Sequence, residues 1–461
     1  MTRPIQKTRL VFIFFLLAFS SLVLSPNLPC EEVKLINTRD LSLKETIAIA
    51  FLNNKEIQIQ EEEVRYAKAN ILDAQSKFLP VLTTGFSYTY TDNVFYESSM
   101  PNTQKDTRIF SGFQNDNNFN VTAYENIFNG GANIANLKQA KLGLKVQEET
   151  LRSRKLDVEF EAKRLYYGLL LAYETERIAK DLLYQAKAHY DNVKMRFEQG
   201  TTSKFDVLQS SVQVSKIEPE VVKAKNSVEY ITAELKKLLS LKLNEEIRLT
   251  GHMSYSLIPI QEDEYLREAY QGNPTMVLRL LGIDINKWGI EYAKSGWYPQ
   301  IDATAGYTAN SNEMATMINS RHDNWSIGIK TSINVFDGFS TKAKVDEARA
   351  RYAQAALQKE NFVDQLAVDV RKACLDLGQS STIIRSQKDS IVEAKEALRI
   401  SEIGFDNGVV DNLNVLDSQV SLSQVEKNLV EAIYDYLMAN AQLDRLRGLF
   451  YTEDKNENKN Q

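Results

Sequence analysis

Gly200-Thr201-Thr202-Ser203-Lys204-Phe205-Asp206-Val207-Leu208 stands beside Gly408-Val409-Val410-Asp411-Asn412-Leu413-Asn414-Val415-Leu416 at a register of 208 residues. The same register carries Phe197 onto Phe405, Ser210 onto Ser418, Val212 onto Val420 and Ser215 onto Ser423. Upstream it carries Phe128-Asn129-Gly130 onto Phe336-Asp337-Gly338. Before that point the register becomes 219 residues, matching Glu45, Ala50, Asn54, Ala74 and Pro80 to Glu264, Ala269, Asn273, Ala293 and Pro299. The chain is therefore an internal duplication, and the extra length of the first copy lies between Pro80 and Phe128.

Each copy follows one plan. A helical spacing of apolar residues runs from Leu43 to Lys77 and again from Glu262 to Ser295, each ended by a proline, Pro80 or Pro299. Two strands follow. Ile301, Ala303, Ala305 and Tyr307 alternate with polar or small residues, and so do Trp325, Ile327, Ile329, Thr331, Ile333 and Val335. Phe86, Tyr88 and Tyr90 alternate likewise, with Phe119, Val121 and Ala123 on the return and a polar loop, Ser98 to Asn118, between. This period of two is how a strand of a membrane barrel reads. Then comes a long helix, Ala132 to Met195 or Ser340 to Ile403, roughly 95 Å at 1.5 Å per residue. A glycine turn and a last helix, Ser203 to Leu239 or Asn412 to Leu449, complete the copy. The two shorter helices of a copy, end to end, match the long one. They are expected to stack beside it as one strut.

The beginning of the chain reads as an export leader over residues 1–30: Arg3, Lys7 and Arg9, then an apolar run from Leu10 to Leu24. Cys30 is either the end of the leader or a lipid attachment site, and Asn27-Leu28-Pro29 before it makes a poor lipobox. Beyond the leader no apolar run is long enough for a spanning helix, so a bilayer crossing requires a closed barrel. Four strands per chain cannot enclose a pore, whereas three copies supply twelve, an even number in the usual range. The expected fold is mainly α with a β-barrel portion. A trimeric 12-stranded barrel is continued by a long α-helical barrel, with two repeats per chain. The expected organisation is 31–240 for the first repeat, 241–261 for a connecting equatorial segment, 262–449 for the second repeat and 450–461 for a disordered tail.

Composition excludes several classes. The net charge of −6 and the lack of a basic stripe argue against nucleic acid. Once the leader is removed Cys374 is alone, and His189, His252 and His322 are scattered, so no metal or cofactor is expected. No nucleophile elbow, phosphate loop or zinc motif is present, so the chain does not read as an enzyme.

In this order and twice over, the motifs resemble the TolC family of outer-membrane factors. They are the Leu43-x-Glu45-x-Ile47-x-x-Ala50-x-x-Asn53-Asn54 opening, Phe78-Leu79-Pro80 or Trp297-Tyr298-Pro299 before each hairpin, and Asn126-Ile127-Phe128-Asn129-Gly130-Gly131 or Asn334-Val335-Phe336-Asp337-Gly338 after it. The resemblance implies a homotrimer spanning outer-membrane lipid and reaching through the periplasm. It also implies docking on a periplasmic adaptor (membrane fusion protein) and an inner-membrane pump of RND or ABC type, which supplies the energy. Cargo would be drugs, metals or secreted proteins.

The resemblance also assigns sites. Gly200, Thr201, Gly408 and Val409 fall at the adaptor-contacting tip, although each turn is also what any helical hairpin needs. The family's acidic rings fall on Asn414 and Asp417, with Asn414 replacing the usual aspartate. Asp411 could compensate for the missing charge. Asp206 and Phe405 are further constriction candidates, and the family's basic gate partner falls on Val410. Rings of carboxylates favour cations. Phe86, Tyr88, Tyr90, Tyr307 and Trp325 would form an aromatic belt at the lipid interface, or the core of a soluble sheet. The competing reading is a periplasmic coiled-coil adaptor or structural protein. Such a protein would carry one hairpin and would not repeat the strand pairs.

Overall fold

The computed structural model describes residues 39–91, 95–98, 107–110, 115–311, 313 and 323–451. The leader with Cys30, His322 and the chain beyond Tyr451 lie outside the described residues, as do most of the loops joining the strands. Near the start, β1 (Arg39–Leu41) precedes two helices, α1 (Leu43–Asn53) and α2 (Lys55–Ser76). The periodicity predicts one helix here, and Asn54 divides it. Asn54 is extended (φ −65°, ψ 124°), and its Oδ1 accepts from the Glu56 and Ile57 amides at 2.9 and 3.3 Å. An asparagine side chain offers the backbone such an alternative to continued helix. The second copy breaks at the matching Asn273, between α5 (Glu262–Gly272) and α6 (Pro274–Lys294), where Pro274 suits a first helical turn.

The two long helices each run for 67 residues, α3 (Ala132–Glu198) and α7 (Ser340–Asp406), about 100 Å by the helical rise. Each turns back into a shorter helix, α4 (Lys204–Leu238) or α8 (Asn412–Arg447). Asn54 Nδ2 donates to the Leu238 carbonyl at 3.2 Å, and Asn273 Nδ2 to Leu446 at 2.9 Å. The breaks thus sit against the ends of α4 and α8. The strut beside α3 is α2 followed by α4, and α1 also packs on α3, through Ile47 and Ala50 against Leu165 and Leu169. α3 packs against α2, α4, α6 and α8, so it joins the two copies along their length.

The strands form one sheet in the order β2 (Val81–Tyr90), β5 (Asn115–Asn129), β7 (Gln300–Ser311), β8 (Asp323–Ser332), antiparallel throughout. β5 and β7 carry one strand of each copy into the same ladder, with a bulge between Asn126 and Phe128. The segment read as a polar loop, Ser98 to Asn118, contains β4 (Thr107–Phe110), which pairs antiparallel with β3 (Phe95–Ser98), and the start of β5.

The segment between the copies reads from sequence as neither helix nor strand. It contains β6 (Ile247–Leu249), which pairs in parallel with β1. The cause is local: Leu41 is fully buried in a cluster with Ile47, Leu169 and Leu239, and β6 covers it. Phe450 and Tyr451, read as the start of a disordered tail, are docked. Phe450 packs edge-on against Phe51, and the Tyr451 amide donates to Glu159 at 2.9 Å. Among the described residues no helix is long and apolar enough to cross a membrane.

Candidate functional site at the helical tips and on the sheet

The two hairpin turns have the same backbone. Gly200 and Gly408 are left-handed, with φ of 74° and 71°. The Thr201 amide donates to the Arg196 carbonyl at 2.9 Å, and the Val409 amide to Gly404 at 2.8 Å, the Schellman closure of a helix end. A Cβ at either glycine would meet no atom within 4 Å, so conformation rather than space demands glycine. Thr201 and Val409 stand exposed beside them.

The side chains after the turns differ. Asp206 is folded back onto the start of α4. Its Oδ2 accepts from Ser203 N and Oγ at 3.1 and 2.6 Å and from Thr202 Oγ1 at 2.9 Å. Burial pulls this carboxyl upward, and the Ser203 and Thr202 hydrogen bonds overcome that and hold it below the usual range. Asp411, the cap of α8, makes no such side-chain bond and is exposed. Asn414 and Asp417 are exposed on α8, along a shallow groove shared with Ala397, Ser401 and Val410.

Phe405 is buried. It packs with Val193, Leu398, Val415 and Leu422, and the Arg196 guanidinium lies 5.1 Å above its ring. Its counterpart Phe197 is 41% exposed. The structure therefore places Asn414 and Asp417 together on an open face, and sets Asp206 and Phe405 apart from them in cap and core.

Three residues missed by the sequence reading join the hairpins here. Arg196 pairs with Asp406 (Nη2 to Oδ1, 2.6 Å) and donates from Nη1 to the Phe405 and Asp406 carbonyls at 3.3 Å, the cation suiting the end of α7. Asn412 is buried, and its Nδ2 donates to the Asp206 carbonyl and to Gln209 Oε1, at 3.3 and 3.0 Å. That fixes its Oδ1 as acceptor for Ser210 Oγ at 3.2 Å and for His189 Nε2 at 2.7 Å. Burial lowers the His189 pKa. A signal was present: the register pairs His189, Arg196 and Asn412 with Ala397, Gly404 and Lys204, so all three depart from the repeat.

On the sheet, Phe86, Tyr88 and Tyr90 share one face with Phe119, Val121, Ala305, Tyr307, Trp325 and Ile327 by register. Tyr307 is directly opposite Trp325, and Trp325, Ile327 and Ile329 are largely exposed. The other face carries Asn120, Thr122, Asp302, Thr304, Ser326 and Lys330. Such exposed apolar surface does not suit water.

A sheet with one apolar and one polar face, mounted on helices of about 100 Å, defines an outer-membrane channel subunit. The model of the outer membrane efflux protein family matches residues 46–240 and 266–449, and the chain belongs to that family. It is 24% identical over 295 residues to the outer membrane protein TolC of Vibrio cholerae, covering 63% of this chain and 67% of that one. It is 22% identical over 312 residues to the alkaline protease secretion protein AprF of Pseudomonas aeruginosa, covering 67% and 65%. The aligned stretches span about two thirds of these two relatives. The fold matches the CmeC outer membrane channel of Campylobacter jejuni with a TM-score of 0.78 at 18% identity, covering 88% of this chain and 85% of that one. The protein is accordingly an outer-membrane efflux protein of a Gram-negative cell, reaching into the periplasm.

Proposed function

We propose that three copies of this chain close into a passive export duct. The observation that carries this is the pair of bare sheet edges. Among the described residues β2 pairs only with β5, and β8 only with β7. Open edges are untenable in lipid. Because the four strands alternate in direction, β8 of one copy meets β2 of the next antiparallel. Three copies give a twelve-stranded barrel with the apolar face outward. Phe86, Tyr88, Tyr90, Tyr307 and Trp325 then form its aromatic belt.

The tips support the same ring. Within one chain the second copy packs on α3, which buries Phe405 beside Val193, and Leu416 is buried as well. The matching Phe197 and Leu208 await the α7 of a neighbour. In that ring Asp417 repeats three times facing the pore, with Asn414 beside it as an uncharged ring and Asp411 at the rim. Asp206 backs this constriction by fixing the start of α4. Gly200, Thr201, Gly408 and Val409 stand at the periplasmic end, where an adaptor bound to an RND or ABC pump would dock. The duct itself performs no catalysis, and cargo choice rests with the pump.

The test is detergent extraction followed by electron microscopy. Threefold particles with a tube well over 100 Å long are expected. Monomeric particles, or protein released by carbonate without detergent, would overturn the duct in favour of a periplasmic coiled coil.

A further inference from the structure

Asn412 is the first residue of α8, the helix that bears Asn414 and Asp417. Its buried amide reaches four places on the first hairpin: His189 on α3, and Asp206, Gln209 and Ser210 on α4. Where α8 starts is therefore set by this cluster. The bond from His189 requires a hydrogen on Nε2, because both amide hydrogens of Asn412 are spent elsewhere, and the neutral and the charged ring can each supply it. The ring is buried, 5.1 Å from the Phe405 ring, in the core that also holds Val193 and Val415.

We propose that His189 is a positioning residue whose charge state controls the constriction, holding α8 on α3 when neutral and releasing it in acid. This rests on the duct reading above. The ionisable groups around the ring come from every packed element. Arg196 lies on α3, Glu402 and Asp406 on α7, Asp206 on α4 and Asp411 at the start of α8. Burial opposes the charged ring, as does Arg196, whereas the Asn412 hydrogen bond and the carboxylates of Glu402 and Asp406 favour it. Burial is the largest of these effects, so the packed ring has the lower pKa. Packing of α8 on α3 is then at full advantage above the free imidazole value of about 6.5 and loses that advantage as pH falls below it. Separation of the helices rehydrates the cation, and the carboxylates of α8 move with the helix.

The sequence duplication sharpens this. At the joint expected between neighbouring chains, the positions matching His189 and Asn412 are Ala397 and Lys204. The acid response belongs to the joint within each chain alone.

Two readouts on the full-length protein test it. Spin labels at Thr201→Cys and Val409→Cys report the distance between the two tips of a chain, whether or not a channel forms. Bilayer conductance reports opening. Between pH 7.5 and 5.5 the wild-type distance should lengthen and the open probability rise by up to about tenfold, the limit set by one pH unit below the free imidazole value. His189→Gln, which keeps an amide donor and cannot titrate, should lose both responses. Asn412→Ala should lengthen the distance at every pH. A His189→Gln protein with the wild-type pH profile overturns the proposal, as does a distance change with unaltered conductance. Absence of conductance in every variant, with the distance change intact, overturns the duct reading instead.

Discussion

The two tips were written as one sequence and differ in what they touch. Phe405 is 8% exposed and Leu416 4%, while Phe197 and Leu208 at the matching positions are 41% and 55% exposed. Their turns agree to within a few degrees of φ. Identical local structure has therefore been given two environments. The second tip is closed by its own chain, through Arg196, His189 and Asn412. The first tip presents the same apolar side chains only about half covered by its own chain. A duplicated subunit that alternates around a ring needs this arrangement, because every second joint must be made with another molecule.

The largest expected effect lies in the apolar pair. Phe405→Ala removes a core ring and should cost about 3–5 kcal/mol of local stability at the tip, read as accelerated amide exchange in α8. Phe197→Ala should cost a similar amount in the assembled protein and markedly less in dissociated chains, where the ring is 41% exposed. Equal and small effects of Phe197→Ala in both states would break the comparison, because the first tip would then have no partner.

The next effect is electrostatic. Asn414→Asp adds one carboxylate per chain beside Asp417. Block of conductance by a divalent cation should tighten about tenfold, which corresponds to about 1.4 kcal/mol. Asp417→Asn should weaken block to a similar degree. If neither substitution moves block, the exposed face of α8 does not line the pore.

The sequence made the duplication, the strand alternation and the long helices legible, because each is a periodic property of residue type. The breaks at Asn54 and Asn273 were not legible. The apolar period continues through them, and the competing asparagine hydrogen bonds depend on where α4 and α8 end. At the tips the turns were legible and the surroundings of their side chains were not. Phe405 and Phe197 are the same residue at the same point of a repeat, and only the neighbouring hairpin decides which is core. Asp206, a constriction candidate by position, is held in a capping box by Ser203 three residues earlier. Asp411, which has no matching serine bond, stays exposed.

That last contrast gives the smallest and cleanest test. Ser203→Ala removes the hydroxyl that accepts from the Asp206 amide and donates to its carboxylate, and should cost about 1 kcal/mol at the start of α4. Asp411→Ala, at the matching start of α8, should change stability by no more than a few tenths of a kcal/mol, because no side-chain bond is lost. The caps should also differ in acid. Asp206 titrates below its ordinary value, so its contribution is complete above about pH 3.9 and is lost as pH falls through the lowered folded value. The start of α4 should therefore begin to exchange its amides in strong acid, and Ser203→Ala should remove that step. A matching acid step at the start of α8 would show that Asp411 caps after all. The two tips would then differ only in burial and not in how their helices are held.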